Sequence, residues 1–385
     1  MKLNVKNRFL VSVVCALFVF VSPVASVEWG GMLKNDTQAL VPDFSDFTFV
    51  QSNGLYMWLT TPFGDSGMYF SGEGMYKYKL TVADGKNDFQ NIVDVDLFKI
   101  YGDYELNKGT LSFALGRYLF ADSTSAIFVQ NFDGASIKYA GRKFAFSAFG
   151  GYTGLQNSLV VSMLNKNGAV FESTNKFYDL ANGFVPAGAT FEFPSLFANQ
   201  ALSIQALAVL DTGTEKYNRF YGTLLFSGPL SNKFFYYLAS SFGTNDFTSV
   251  MNYSTLNFYL YPADIMTVTV GAEYASGKNG FLSPFLGVTS RSVVNSLTAP
   301  QTSGAIIPNA SCSFVIDRLY IGVNGKFLIA VPDSNVEAKG VEADLSIIYA
   351  PFTDLQFGLD VNSYFDISKN NENNLTATLR AALSF

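Results

Sequence analysis

Apolar and polar side chains take turns along most of this chain after its first thirty or so residues. Met266, Val268, Val270, Ala272 and Tyr274 alternate with Thr267, Thr269, Gly271 and Glu273. Leu319, Ile321, Val323, Gly325, Phe327 and Ile329 alternate with Tyr320, Gly322, Asn324, Lys326 and Leu328. The same pattern returns at Val341–Tyr349 and Leu355–Asn362. A strand turns successive side chains to opposite faces, so each stretch has one apolar and one mostly polar face. The repeats predict eighteen strands, near 27–35, 53–61, 67–83, 91–106, 109–121, 133–142, 144–154, 184–193, 200–211, 218–229, 233–244, 249–261, 265–276, 305–317, 319–331, 337–351, 354–368 and 374–385. Sixteen remain if a weak segment such as 27–35 lies outside the sheet.

The connections sort by length. Tight turns are expected at 106–109, 141–143, 228–232, 262–264, 317–318 and 351–354, where Gly, Pro, Asn and Asp collect. Long loops are expected at 36–52, 122–132, 155–183 and 277–304, with the Asn-rich 369–373. Short and long alternate, with one exception at Pro194–Asn199. Two strands break phase, and there Arg117 falls on the apolar face unless Gly116 marks a bulge.

Composition then decides what the apolar faces meet. Charged residues are 15% of the chain and aromatics 16%, with 38 Phe and 21 Tyr. A water-exposed surface calls for about a quarter charged residues, so much of this surface faces something other than water. Past residue 26 no unbroken apolar stretch is long enough for a spanning helix. The remaining structure that satisfies every backbone group in lipid is a closed antiparallel β-barrel. The expected fold is therefore all-β, a transmembrane barrel over 27–385 with short periplasmic turns and long extracellular loops.

The last strand carries a more specific mark. Leu375, Ala377, Leu379, Ala381, Leu383 and Phe385 occupy alternate positions, and the sequence stops on the aromatic. This resembles the C-terminal signal that Gram-negative-type outer-membrane barrels present to their insertion machinery, with Phe385, Leu383, Ala381 and Leu379 as its apolar positions. At the other end, Lys2, Lys6 and Arg8 precede the apolar run Phe9–Val21, and Val24-Ala25-Ser26 offers small residues for cleavage. Residues 1–26 read as a secretory signal peptide. Cleavage removes Cys15 and three basic residues, leaving Cys312 alone and shifting the formal charge from −6 to −9. No intramolecular disulfide is then expected, and the acidic balance argues against a nucleic-acid partner.

Alternation points Glu73, Lys77, Lys138, Glu192, Glu273, Lys326, Glu342, Asp344, Asp360 and Arg380 inward as candidate pore-lining residues. Six are acidic and four basic, which favours cations mildly. The same charges also serve a wall in which they pair with one another, and the sequence leaves both open. Loop 155–183 contains the apolar piece Leu159–Leu164 and can turn into the lumen or outward, as can 277–304.

No histidine is present, so Ser-His machinery and ordinary Cys/His zinc sites cannot be built. Glu342 and Asp344 are paired carboxylates on one face, a spacing expected in any polar lining. Neither an enzyme nor a cofactor is expected.

The resemblance to porin-type barrels covers the whole mature chain and rests on architecture. It implies a channel for passive diffusion of small hydrophilic solutes in the outer membrane of a diderm bacterium. Its partners would be outer-membrane lipid, the barrel-assembly machinery and the solutes, and a homo-oligomer is compatible with it. A substrate-specific channel is the first alternative, with Tyr56, Tyr320 and Tyr364 placed inward. A surface adhesin or structural barrel acting through its outer loops is the second. No further domain being visible in this sequence, energy-coupled uptake is not expected.

Overall fold

Alternating side chains make a sheet only if each strand finds partners on both edges, and here every strand does. The computed structural model describes residues 27–42, 47–166, 178–213, 216–245, 247, 250–276, 304–331, 336–368 and 373–385. The segment read as a signal peptide and most of 277–304 lie outside the described residues.

Eighteen strands follow one another: β1 (Glu28–Pro42), β2 (Thr48–Pro62), β3 (Met68–Ala83), β4 (Lys86–Leu106), β5 (Gly109–Ala121), β6 (Val129–Gly141), β7 (Ala145–Tyr152), β8 (Phe184–Phe197) and β9 (Gln200–Asp211). They continue as β10 (Arg219–Ser231), β11 (Phe234–Thr244), β12 (Met251–Ala263), β13 (Met266–Ala275), β14 (Gly304–Ile316), β15 (Leu319–Val331), β16 (Glu337–Phe352), β17 (Leu355–Asp366) and β18 (Asn374–Ser384). Each pairs antiparallel with its chain neighbours, and β1 pairs with β18 to close the sheet. The expected all-β antiparallel barrel is present, with eighteen strands and not sixteen.

Closure is in register to the last residue. Phe385 N–H donates to the Gly31 carbonyl and Gly31 N–H to the Phe385 carbonyl, both at 2.9 Å. A Cβ built on Gly31 would stand 2.4 Å from the Phe385 ring, so the seam needs a residue without a side chain there.

The two faces differ as the alternation requires. Leu379, Val270, Val323 and Leu115 on the outer face are between 52% and 59% exposed. On the inner face Thr223, Ser241, Thr255 and Glu342 are buried.

The strand ends depart from expectation in informative ways. The loop expected at 36–52 shrinks to 43–47, because β1 and β2 run on through Asp36–Gln38 and Gln51–Asn53. Those residues are polar on both faces and read as a loop, yet β1 is bonded along this stretch to both β18 and β2. Pairing on two edges overrides weak local preference. The exception at Pro194–Asn199 disappears, since β8 extends to Phe197 and Ala198-Asn199 forms a two-residue turn with φ of 45° and 61°. At the opposite end of the barrel, Asp84-Gly85 (φ 51° and 69°) makes an equally tight hairpin, with β4 beginning at Lys86 where alternation places its start near 91. The loop expected at 122–132 is 122–128, and it turns into the barrel.

Candidate functional site

The inner wall is built from the register outward. Lys326 on β15 stands opposite Glu342 on β16, and Asn324 opposite Asp344. Asp344 stands opposite Asn362 and Ser346 opposite Asp360 on β17. Gly358 faces Arg380 on β18, and Arg380 faces Asp36 on β1. Lys326 Nζ is hydrogen-bonded to Glu342 and lies 3.7 Å from Asp344, whose Oδ2 accepts Asn324 Nδ2 at 3.0 Å. Ser346 donates to Asp360 at 2.8 Å, and Arg380 is ion-paired with Asp360. Lys34 Nζ lies 3.1 Å from Asp36. These charges form one cross-strand ladder over β15–β18 and β1. It is open to solvent: the Arg380 and Lys34 side chains are 47% and 37% exposed.

All ten residues expected to point inward share this face by register, but the structure does not bring them together. Lys326, Glu342, Asp344, Asp360 and Arg380 make the ladder. Lys77 and Glu73 follow on β3, opposite Gly54 and Trp58. Glu273 accepts the Tyr253 hydroxyl at 2.8 Å, on β13. Lys138 stands opposite Ser147, and Glu192 opposite Ala145, on the other side of the barrel.

That other side is filled. In segment 122–128, Asp122 Oδ1 accepts the N–H groups of Ile127 (3.0 Å) and Phe128 (2.9 Å), folding the loop on itself. Ser123 N–H then donates to Gln205 on β9 at 2.9 Å, and its carbonyl accepts Tyr237 of β11 at 3.0 Å. The loop therefore crosses from β5 to the facing wall. Segment 153–166 enters beside it. Gln130 Oε1 accepts Ser162 N–H and Oγ, both at 2.9 Å, while Arg219 Nη2 donates to the Leu164 carbonyl at 3.0 Å. Ile127, Phe128, Val161 and Met163 pack with Phe132, Phe184, Leu207, Val209, Tyr221 and Tyr253 into an apolar cluster within the barrel. The lumen is thus divided between an apolar plug on the β6–β12 side and the charged ladder facing it. Of loop 155–183, Val161, Met163 and Ala181 fold inward onto this cluster, a direction the sequence left open, while Leu155 and Leu180 are exposed.

Arg117 is not on an apolar outer wall. Gly116 has φ +131°, a conformation open to glycine, and a Cβ there would meet the Phe98 carbonyl at 2.2 Å. The register runs through Gly116 without a bulge, opposite Lys99 and Gly134, and the wall splits just beyond it: β4 and β5 pair only as far as Phe98 and Arg117. Beyond it, side chains satisfy the β4 carbonyls. Arg117 Nη1 donates to Val95 (2.9 Å), Asn131 Nδ2 to Asp96 (3.1 Å) and Asn157 Nδ2 to Val93 (3.2 Å). Arg117 also forks onto both oxygens of Asp133 at 2.8 and 2.9 Å, lies 3.7 Å from Asp94 and reaches the Leu155 carbonyl at 3.2 Å.

Sequence reasoning missed Lys34 and Asp36, which it placed in or beside a loop, and Gln130, Gln156, Asn157 and Arg219, which pin the plug. Alternation carried through Leu33 and Asn35 would have found the first two. The buried amides carry no periodic signal.

No protein-family model and no curated protein sequence matches the chain. Solved structures do. OpdK of Pseudomonas aeruginosa with vanillate is 14% identical, with 93% of this chain and 98% of that chain covered and a TM-score of 0.62. OccAB4 of Acinetobacter baumannii is 12% identical over 94% and 98%, with a TM-score of 0.62. A structure described as the outer membrane protein opdK from Pseudomonas aeruginosa is 12% identical over 93% and 99%, with a TM-score of 0.59. At this identity the likeness concerns architecture, and over nearly its whole length the chain has the barrel fold of these outer-membrane proteins.

Proposed function

We propose that the chain is an outer-membrane channel for passive diffusion of small hydrophilic solutes. The observation that carries this is the charged ladder Lys34–Asp36–Arg380–Asp360–Asp344–Glu342–Lys326 on the inside of a closed barrel, exposed to solvent at Lys34 and Arg380. A wall that only holds strands together has no use for a hydrated charged stripe facing a plug. Diffusion needs no cofactor, and nothing in this reading is enzymatic. The signal peptide at 1–26 and the terminal Phe385 supply export and insertion by the barrel-assembly machinery. Acidic side chains outnumber basic ones in the ladder, which supports a mild preference for cations.

The narrowed lumen favours a second reading, a substrate-specific channel. Two inward segments leave one side of the barrel as the path, and OpdK, with the same fold, was crystallised with vanillate. Constriction plus fixed charge is how a channel selects.

Planar-bilayer recording of the refolded protein tests both. Stable conductance steps with a reversal potential on the cation side are expected under a salt gradient. A folded but silent protein overturns the channel. Saturation of current or flux by one solute class supports the second reading over the first.

A further inference from the structure

Most of the outer wall is apolar, yet one row across β1–β4 is not. Asn35 stands opposite Asn53, Asn53 opposite Tyr78, and Tyr78 opposite Asn91. Asn35 alternates with the inward Lys34 and Asp36, so the row faces outside. Thr37 and Gln51, also opposite one another, adjoin it. Leu33 and Leu55 flank it toward one end of the barrel, and Phe49, Leu80 and Phe89 toward the other. Trp29, 67% exposed, precedes Asn35 by six residues, about 20 Å of strand. At a tilt of about 40° that is roughly 15 Å along the barrel axis, against an apolar band about 25 Å tall. The row lies within the band.

Its hydrogen-bonding groups are only partly used. Asn35 Nδ2 donates to Asn53 Oδ1 at 2.7 Å, Thr37 donates to Asn35 Oδ1 at 3.2 Å, and Tyr76 donates to Asn91 Oδ1 at 2.8 Å. Among the described residues, the amide N–H2 groups of Asn53 and Asn91 donate to no partner, and both residues are exposed. The outward Ser240–Asn252–Ser254 set differs, because its members bond to one another at 2.8–2.9 Å. Unmet N–H groups facing hydrocarbon are costly, and lipid tails offer no acceptor. Beside the row is a groove of about 550 Å³ whose lining includes Asn35, Asn53, Leu33, Leu55, Tyr76 and Leu383.

We propose that this face seats a second copy of the chain in the membrane, with the Asn35–Asn53–Tyr78–Asn91 row laid against its own counterpart. The proposal rests on the outer-membrane reading above. A neutral amide is donor and acceptor at once, so a row of amides is complementary to itself under a twofold axis. The groove and the small Ala381 beside Asn35 admit the close approach that polar contacts in lipid require.

Thiol cross-linking in the outer membrane of intact cells tests it. Asn53→Cys is made in a Cys312→Ser background and treated with a short bifunctional maleimide. The control is Val270→Cys, 54% exposed on the far side of the barrel. A band at twice the protomer mass is expected for Asn53→Cys and is expected to be lost in the control. The Asn35→Leu, Asn53→Leu, Asn91→Leu triple variant is expected to run as a monomer in mild detergent while keeping wild-type single-channel steps. Equal cross-linking at the two positions, a product containing a different protein, or an unchanged oligomer in the triple variant each overturns the proposal. A silent channel that still cross-links through Asn53 counts against the proposed function and for the interface.

Discussion

Arg117 holds together a place where the wall would otherwise come apart. Its side chain is 7% exposed and serves Asp133, Asp94 and two backbone carbonyls at once. Three charges buried this closely are tolerable only while paired; taking away the cation leaves two carboxylates facing each other away from water. Arg117→Met is therefore expected to destabilise the barrel by about 3–5 kcal/mol, read as a lower temperature for loss of the compact, heat-modifiable form on gels. A melting profile equal to wild type would show that the split is held by other contacts. Very little of this residue was legible in the sequence. Alternation assigns Arg117 to a face with Leu115 and Leu119, and the register through Gly116 keeps that phase; its side chain is buried because β4 parts from β5 there and Asp133, Asp94 and two carbonyls close around it. A bulge at Gly116 was conceivable from its residue type; what Arg117 would meet there was not, since Asp133, Val95 and Leu155 come from three separate parts of the chain.

At the scale of elements, strands and plug are held by different forces. The strands have continuous backbone ladders on both edges. Segment 153–166 has isolated backbone bonds, to Phe184 of β8 and to Asp179 and Ala181, and meets β4 and β6 through side chains: Gln156 with Gln130 at 3.1 Å and with the Asn131 carbonyl, Asn157 with Val93, and Ser162 with Gln130. Elements tied down mainly by side chains open at lower free energy than a sheet ladder. Replacing Gln156 and Asn157 together by Ala leaves buried partners unmet at a cost of about 1–3 kcal/mol each. The barrel is expected to fold, with larger and noisier single-channel conductance. Unchanged conductance would place the solute path away from this segment. The length of the loop and its apolar piece Leu159–Leu164 were visible in the sequence, and they raised the question of inward or outward. The answer depends on Phe184, Val209, Tyr221 and Tyr253 offering an apolar floor, which no local pattern reveals.

At the scale of the whole molecule, closure is the decisive event. β1 is polar on both faces in its middle and has little reason to be a strand alone, yet it is the strand that joins the two ends of the sheet. Phe385 and Gly31 complete that seam. Gly31→Val is expected to push the Phe385 ring aside and to lower the amount of folded protein in the outer membrane, as deletion of Phe385 should; fractionation with heat-modifiability measures both. Wild-type levels in Gly31→Val would mean that the seam tolerates displacement of the terminal ring.

What the sequence determined by itself is the part of the structure with a period of two. The inward and outward faces follow from alternation and backbone hydrogen bonding, because both operate between near neighbours, whereas the choice of eighteen strands over sixteen rests on the pairing of β1 with β18 and β2. The ten inward charges follow from the same rule. The tertiary structure alone decided which of them meet, where β4 and β5 part, and that two loops turn inside to leave a charged path against an apolar plug. Those outcomes depend on contacts between segments as far apart as Ser123 and Tyr237 or Arg117 and Leu155. Such contacts exist only once closure of the sheet has brought distant strands around a common interior.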